Sequence, residues 1–252
     1  MATTSGAKLD AALAGRGWLD MLDETPDLAV PLVFRLLGET GAHAPVLNDV
    51  LLRASGSPPG GMVPLPFAGG SWVVWERNDG PSSAVDGELP IHRVARADPL
   101  PEAALSAGRL AVGWWLAGCG RAMLSLARRH ALDRVQFGRP IGSFQAIRHR
   151  LADTMIAIEG AEATLHAGPA SVDHPGLACL LAKAAAGQAA LTAARHCQQV
   201  LGGIGFTAEH QLHRHIKRSL ILDGLLGSAR ELTREAGTAL RAQGFAPRLA
   251  QL

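Results

Sequence analysis

The chain is short of cysteine, of lysine and of net charge. Its three cysteines, Cys119, Cys179 and Cys197, stand far apart with no C-x-x-C pair. That excludes a disulfide framework and a zinc site of the paired-cysteine kind, and it fits a reducing cytoplasm. Formal net charge is only +2, because 24 Lys plus Arg face 22 Asp plus Glu. There is thus no basic field of the sort that nucleic acid or an anionic membrane surface demands, and neither is expected as a partner. Arginine outnumbers lysine 21 to 3, a bias of coding composition rather than of mechanism. From Met1 to Asp20 no basic segment leads into an apolar run, and no later stretch approaches the ~20 uninterrupted apolar residues of a membrane span. The expectation is a soluble, unexported protein. What is plentiful is hydrophobic residues, 48% of 252, enough for a sizeable core.

Periodicity divides the chain into three. Residues 1–53 form a short helical region: apolar positions from Leu9 to Arg53 fall at helical spacing (Leu19, Leu22; Val30, Val33, Leu36, Leu37; Val46, Val50, Leu51), interrupted by Pro26, Pro31 and Pro45. This predicts two or three short helices. Residues 54–101 change texture, with a Ser/Gly/Pro cluster at 55–61, a strand-like run Ser71-Trp-Val-Val-Trp-Glu76 and an Asn78-Asp-Gly-Pro81 turn. Three or four strands fit, too few for a complete barrel or sandwich. Residues 102–252 read as long helices over about 102–132, 143–167, 175–201, 209–218 and 226–243, antiparallel and joined by short loops, which predicts a four-helix bundle. The fold class is therefore mainly α, with a reduced β segment in the middle.

Two blocks carry the chemistry. Arg134-Val-Gln-Phe-Gly-Arg-Pro-Ile-Gly-Ser-Phe-Gln-Ala146, followed by His149 and Leu151-Ala-Asp153, and Gln199-Val-Leu-Gly-Gly-Ile-Gly-Phe-Thr207, with Glu209-His210 and Arg214 to Arg218, stand in the order and spacing of the acyl-CoA dehydrogenase family, which they resemble. The resemblance covers about Glu102 to Leu240. Physically, a flavin dinucleotide presents a pyrophosphate and an adenosine, so its site calls for a planar cation, amides and closely approaching backbone. The resemblance implies that Arg134, Gln136, Phe137, Gln145, Gln199, Gly202, Gly203 and Ser228 contact an FAD held mainly by a neighbouring chain. Taken alone, Gly202 to Gly205 reads as a helix C-cap and turn, since it follows a helix and not a strand.

The departures from the family are as informative. Its base is a glutamate in a Glu-Gly-Thr type loop, removing the proton α to a thioester while hydride leaves the β carbon. Aligning Ile221-Leu-Asp-Gly-Leu-Leu-Gly-Ser228 on that loop puts Leu226 at the glutamate and Ser228 at the threonine. The alternative position of the base, on the first long helix before an arginine, is Gly108 before Arg109. Neither residue takes a proton, so no catalytic residue is assigned. Asp223 and Glu231 remain as substitute bases, although solvated or helix-capping roles are the ordinary reading of such carboxylates. The family's Thr-Glu-Pro and Gly-Ser-Asp flavin-contacting stretches find no counterpart between Ala54 and Leu100.

The resemblance therefore implies a truncated partner subunit of an α2β2-type acyl-CoA dehydrogenase. A full-length subunit would carry the base, an acyl-CoA thioester, possibly steroid-derived, would be the substrate, and an electron-transfer flavoprotein would be the acceptor. A homomeric enzyme with an unrecognised base and a flavin-free scaffold are the alternatives. His210, His213 and His215 form an H-x-x-H-x-H cluster, but on a helix the third points away, so no metal is expected. His196-Cys197 lacks a third partner for nucleophilic catalysis, and Trp72, Trp75, Trp114 and Trp115 read first as packing.

Overall fold

A computed structural model describes residues 4–77, 89–170 and 174–247, and the Asn78–Pro81 turn lies outside them. The architecture is mainly helical. Four helices open the chain: α1 (Ala7–Ala14), α2 (Trp18–Glu24), α3 (Pro26–Thr40) and α4 (Val46–Ala54). An antiparallel sheet follows, β1 (Pro64–Phe67), β2 (Ser71–Trp75) and β3 (Ile91–Val94), in that spatial order. Then come α5 (Glu102–Asp133), the two-residue strands β4 (Val135–Gln136) and β5 (Arg139–Pro140), α6 (Gln145–Ala167), α7 (Pro175–Leu201), α8 (Leu212–Gly224) and α9 (Ala229–Gln243).

The N-terminal region holds four helices rather than two or three, with breaks at 15–17, at Thr25 and at 41–45, whereas Pro31 does not break α3. A proline removes one intrahelical donor. Here it sits shortly after the helix start, with Pro26 already at the first turn, so only the bond to the Asp27 carbonyl is lost. Between residues 54 and 101 three strands are present among the described residues. The turn between α5 and α6, predicted only as a short inter-helix loop, pairs as a small hairpin, with Val135 opposite Pro140 and Gln136 opposite Arg139.

α5 runs through the middle of the molecule, with α3, α4, α6, α7 and α8 all packed against it. On one side Trp115 stacks on Trp75 at 5.2 Å between centroids and meets the edge of Phe34 at 5.7 Å. All three rings are fully buried, and each such pair adds roughly 0.5–1.5 kcal/mol beyond area burial. The tryptophans of β2 and α5 thus join sheet to bundle as packing. A second apolar cluster, including Met123, Ala127, Ala193, Cys197 and Leu212, fills the end where α5 and α7 finish and α6 and α8 begin. Arg121 ties α5 to α6, its Nε 2.5 Å from Glu162 and one Nη 2.8 Å from Glu159. By length and composition α5 and the α7 segment are apolar enough to cross a membrane, but both lie mostly buried inside the protein.

The N-terminal helices are pinned by a buried carboxylate. Asp49, 2% exposed, accepts from Trp18 Nε1 at 3.2 Å, from Gly60 N at 3.1 Å and from the Arg77 guanidinium. Arg77 in turn reaches Asp10 at 2.8 Å. One charge pair so satisfied links α1, α2, α4 and the end of β2, which is what makes its burial tolerable.

α3 and α5 cross at close range. A Cβ on Gly118 would overlap the Arg35 carbonyl oxygen, and one on Gly38 would overlap the backbone of Trp115 to Cys119. The two backbones touch because neither carries a side chain at the crossing. Gly118→Val is therefore expected to destabilise the protein by about 3 kcal/mol or more, as an overpacked core does. Urea denaturation would show this as a lowered midpoint at unchanged slope.

Candidate functional site

Seven of the eight residues expected at a flavin collect at one end of the bundle. α5 finishes at Asp133, and the Arg134 carbonyl accepts from Ile141 N at 2.8 Å, closing the β4–β5 hairpin. Its two tip residues, Phe137 (φ 54°) and Gly138 (φ 78°), both have positive φ, the pattern of a type I′ turn. Such a backbone is unfavourable for phenylalanine, and it holds the ring 90% exposed. Phe144 braces the hairpin: Phe137 meets it edge-on at 6.0 Å and the Arg139 guanidinium lies 4.3 Å above its ring. α6 then starts at Gln145. From the other side α7 ends at Gly202, whose φ of 63° stops the helix, and the 3-10 segment Gly202–Phe206 folds back so that Gln198 Nε2 donates to the Gly205 carbonyl at 3.3 Å. The C-cap reading of this glycine run thus holds locally.

The side chains of Arg134, Gln136, Phe137, Gln145 and Gln199 are all exposed. A Cβ at Gly202 or Gly203 would meet nothing within 4 Å, so the backbone there is open to a close-fitting group. An exposed planar cation, two exposed amides and bare backbone suit the pyrophosphate and adenosine half of FAD. Ser228, the eighth, lies elsewhere, at the N-cap of α9.

The two places where the base would stand do meet in space, and apolar groups fill them. A Cβ on Gly108 would come within 2.6 Å of Leu51 Cδ2 and 2.7 Å of Leu226 Cδ1. Leu226 is 1% exposed and is held at φ 57°. Its N–H donates to the Pro66 carbonyl at 2.8 Å and its carbonyl accepts from Arg109 Nε at 3.3 Å. Arg109 also reaches Glu235 at 3.4 Å. Phe137 and Leu226 are the positive-φ residues other than glycine among those described: one presents a ring to solvent, the other drives a side chain into packing.

The C-terminal domain model of acyl-CoA dehydrogenases matches residues 99–236. The chain belongs to the acyl-CoA dehydrogenase family. It is 35% identical over 214 residues to acyl-CoA dehydrogenase FadE34 of Mycobacterium tuberculosis, covering 78% of this chain and 30% of that protein. It is 43% identical over 117 residues to acyl-CoA dehydrogenase IpdE2 of the same organism, covering 46% of this chain and 36% of that one. The chain thus spans about a third of the length of these curated relatives. Among solved structures, its fold is similar to a chain of the steroid ACAD Tcur3481-Tcur3483, with TM-score 0.74, 21% identity and 95% and 90% of the two chains covered. It is likewise similar to a chain of the ChsE4-ChsE5 complex from Mycobacterium tuberculosis, with TM-score 0.70, 21% identity and 98% and 91% covered.

Within this acyl-CoA dehydrogenase fold, both candidate substitute bases have structural work. α8 runs to Gly224, six residues beyond the end read from sequence, so Asp223 lies in the helix and only 225–228 form the turn. Asp223 Oδ1 accepts from Ala229 N at 3.0 Å at the start of α9. Glu231 closes a capping box with Ser228 and accepts from Gly69 N at 2.9 Å. Those donors hold its carboxyl below the usual range. Each carboxylate is thus a helix cap. The Cys197 thiol is pushed up to about 12 by burial, and His196 Nδ1 pairs with Thr154 Oγ1 at 2.9 Å, so that pair is no nucleophile. Among the described residues no group of three His, Cys, Asp or Glu is placed to hold a metal ion; His210 Nδ1 instead accepts from Leu212 N at 3.1 Å, at the start of α8.

Lys183 was not singled out from sequence. Fully buried in α7, it donates to the Asp223 carbonyl at 2.6 Å and to the Gly227 carbonyl, so it clamps the turn that carries Leu226. The signal was there: a lone lysine in the alanine-rich run of α7, one of only three in the chain. Burial lowers its pKa to about 7, with Arg109 acting in the same direction and Asp223 and Glu231 against it. The folded state therefore binds fewer protons than the unfolded state, where the ordinary value is 10.5. Stability from this group should rise with pH between about 7 and 10.5, by up to ~1.4 kcal/mol per unit. In chemical denaturation across that range, Lys183→Met should flatten the rise relative to wild type.

Proposed function

We propose that the chain is the flavin-completing subunit of a heteromeric acyl-CoA dehydrogenase. The observation that carries this reading is a contrast within one molecule. The Arg134 hairpin and the Gln199–Gly203 turn keep an exposed set of groups for a dinucleotide, while Gly108 and Leu226 form a packed apolar contact. A chain with the first and without the second serves a site whose base stands on another polypeptide.

In this reading Arg134 neutralises pyrophosphate charge, Gln145 and Gln199 bond polar edges, Phe137 covers the cofactor, and the Gly202–Gly203 backbone approaches it closely. FAD, when bound, supplies the hydride acceptor for α,β-dehydrogenation of an acyl thioester. The partner subunit contributes the glutamate and the contacts to the flavin ring, giving an α2β2 assembly with two flavins and an electron-transfer flavoprotein as acceptor, in the cytoplasm. The similar folds found in a steroid ACAD and in ChsE4-ChsE5 support a heteromer and a bulky, steroid-like acyl-CoA. The capping roles of Asp223 and Glu231 speak against a base on this chain.

The test is Arg134→Ala in the complex co-purified with its full-length partner. Removing a charge-assisted contact should weaken flavin binding about 30-fold or more, ~2 kcal/mol, measured as flavin absorbance retained on dilution, with the complex intact by size. Wild-type flavin retention would instead make the chain a scaffold.

A further inference from the structure

The tip of the Arg134 hairpin is strained. Phe137 stands at the first central position of a type I′ turn, where Asn, Asp or Gly is the usual occupant. A left-handed backbone at a bulky residue persists only where its surroundings over-determine it. The flanking strands β4 and β5 are two residues each, and a lone two-stranded ladder is marginal in water even at greater length. The tip is therefore fixed by contacts outside the ladder.

At the base, Gly142 lies against the last turn of α5, where a Cβ would come within 2.9 Å of the Ala131 carbonyl oxygen. Arg148 Nε, from the first turn of α6, donates to the Gly142 carbonyl at 3.0 Å. Two helices thus seat the hairpin. At the tip a single ring serves both residues that flank Gly138. Phe144 takes Phe137 edge-on, with 86° between the ring planes, and carries the Arg139 guanidinium 4.3 Å from its centroid. Both are favourable geometries, an edge-to-face aromatic pair and a cation over a π face. Arg139 and Arg134 stand in the same block but differ in this respect: the guanidinium of Arg139 is taken up by a ring of its own chain.

We infer that Phe144 and Arg139 are positioning residues of the flavin site. The inference rests on the flavin-completing reading and deepens it: neither residue touches the cofactor, and together they hold the tip so that Phe137 and Arg134 stand in place before the cofactor arrives. A braced tip keeps the binding-competent hairpin fully populated. Without the brace, apparent affinity falls in proportion to the fraction of molecules that stay competent.

The test is the flavin affinity of the complex with the full-length partner, followed as flavin released on dilution. Phe144→Leu removes the ring and keeps apolar bulk; it should weaken flavin about tenfold, as a hairpin competent about one-tenth of the time would, whereas Phe144→Tyr should bind as wild type does. Arg139→Met should weaken flavin about threefold, and as a surface change it stays informative if Phe144→Leu fails to fold. Combined in one chain, Phe144→Leu and Arg139→Met should cost no more affinity than Phe144→Leu alone, because the arginine acts through the ring. Wild-type affinity in both single variants, or losses that multiply in the double variant and so place Arg139 on the cofactor itself, would overturn the proposal. Arg134→Ala, measured alongside, separates the two claims. If it releases flavin while the Phe144 and Arg139 variants do not, the positioning role alone falls; if it retains flavin as wild type does, the flavin-completing reading falls and takes the positioning role with it.

Discussion

The structure depends on α5 being enclosed on every side from Ala111 to Gly120. A helix surrounded by five others cannot use large side chains all round, because the neighbouring axes would be pushed beyond contact distance. Gly118 lets α3 touch its backbone, and a Cβ on Gly113 would already press on Leu165 of α6. The bulk is concentrated instead at Trp114 and Trp115, where the sheet and the N-terminal helices leave room. The near-absence of polar residues between Leu110 and Cys119 follows from this enclosure.

The same helix connects the two halves of the functional account. At its C-terminal end it launches the Arg134 hairpin into solvent; near its N-terminal end Gly108 faces Leu51 and Leu226. One end spends conformational strain, in Phe137, on exposure. The other uses a left-handed leucine, two carbonyl contacts from Lys183 and a capping box to hold the 225–228 turn shut. An ionised carboxylate at Leu226 would have to be buried beside Leu51, a cost of several kcal/mol without a paired charge. In the proposed reading, the absence of a base at Leu226 and the filling of that position's surroundings by hydrocarbon are one physical change.

Much of this was legible in the sequence, for identifiable reasons. The long helices were, because α7 starts on Pro175 and ends at a positive-φ glycine, and both are strong local signals. The gathering of the seven proposed flavin-contacting residues at one end of the bundle was, because they lie in two contiguous blocks. Less legible were features set by distant partners. Pro31 stays within α3, and α8 continues through Gly224, since tertiary packing overrides the local propensity. That Gly108 and Leu226 meet, although 118 positions apart in the chain, needed the fold, as did the role of Lys183 at the turn that carries Leu226.

The central claim is that two different polypeptides share each flavin and only one of them brings a base. The most direct measurement is flavin per chain, with anaerobic bleaching by acyl-CoA, for this protein alone and for its complex with the full-length subunit. The account predicts a colourless isolated chain and a complex with about one fully reducible flavin per pair of chains. A yellow isolated chain that acyl-CoA bleaches, or a complex with two reducible flavins per pair, would contradict it.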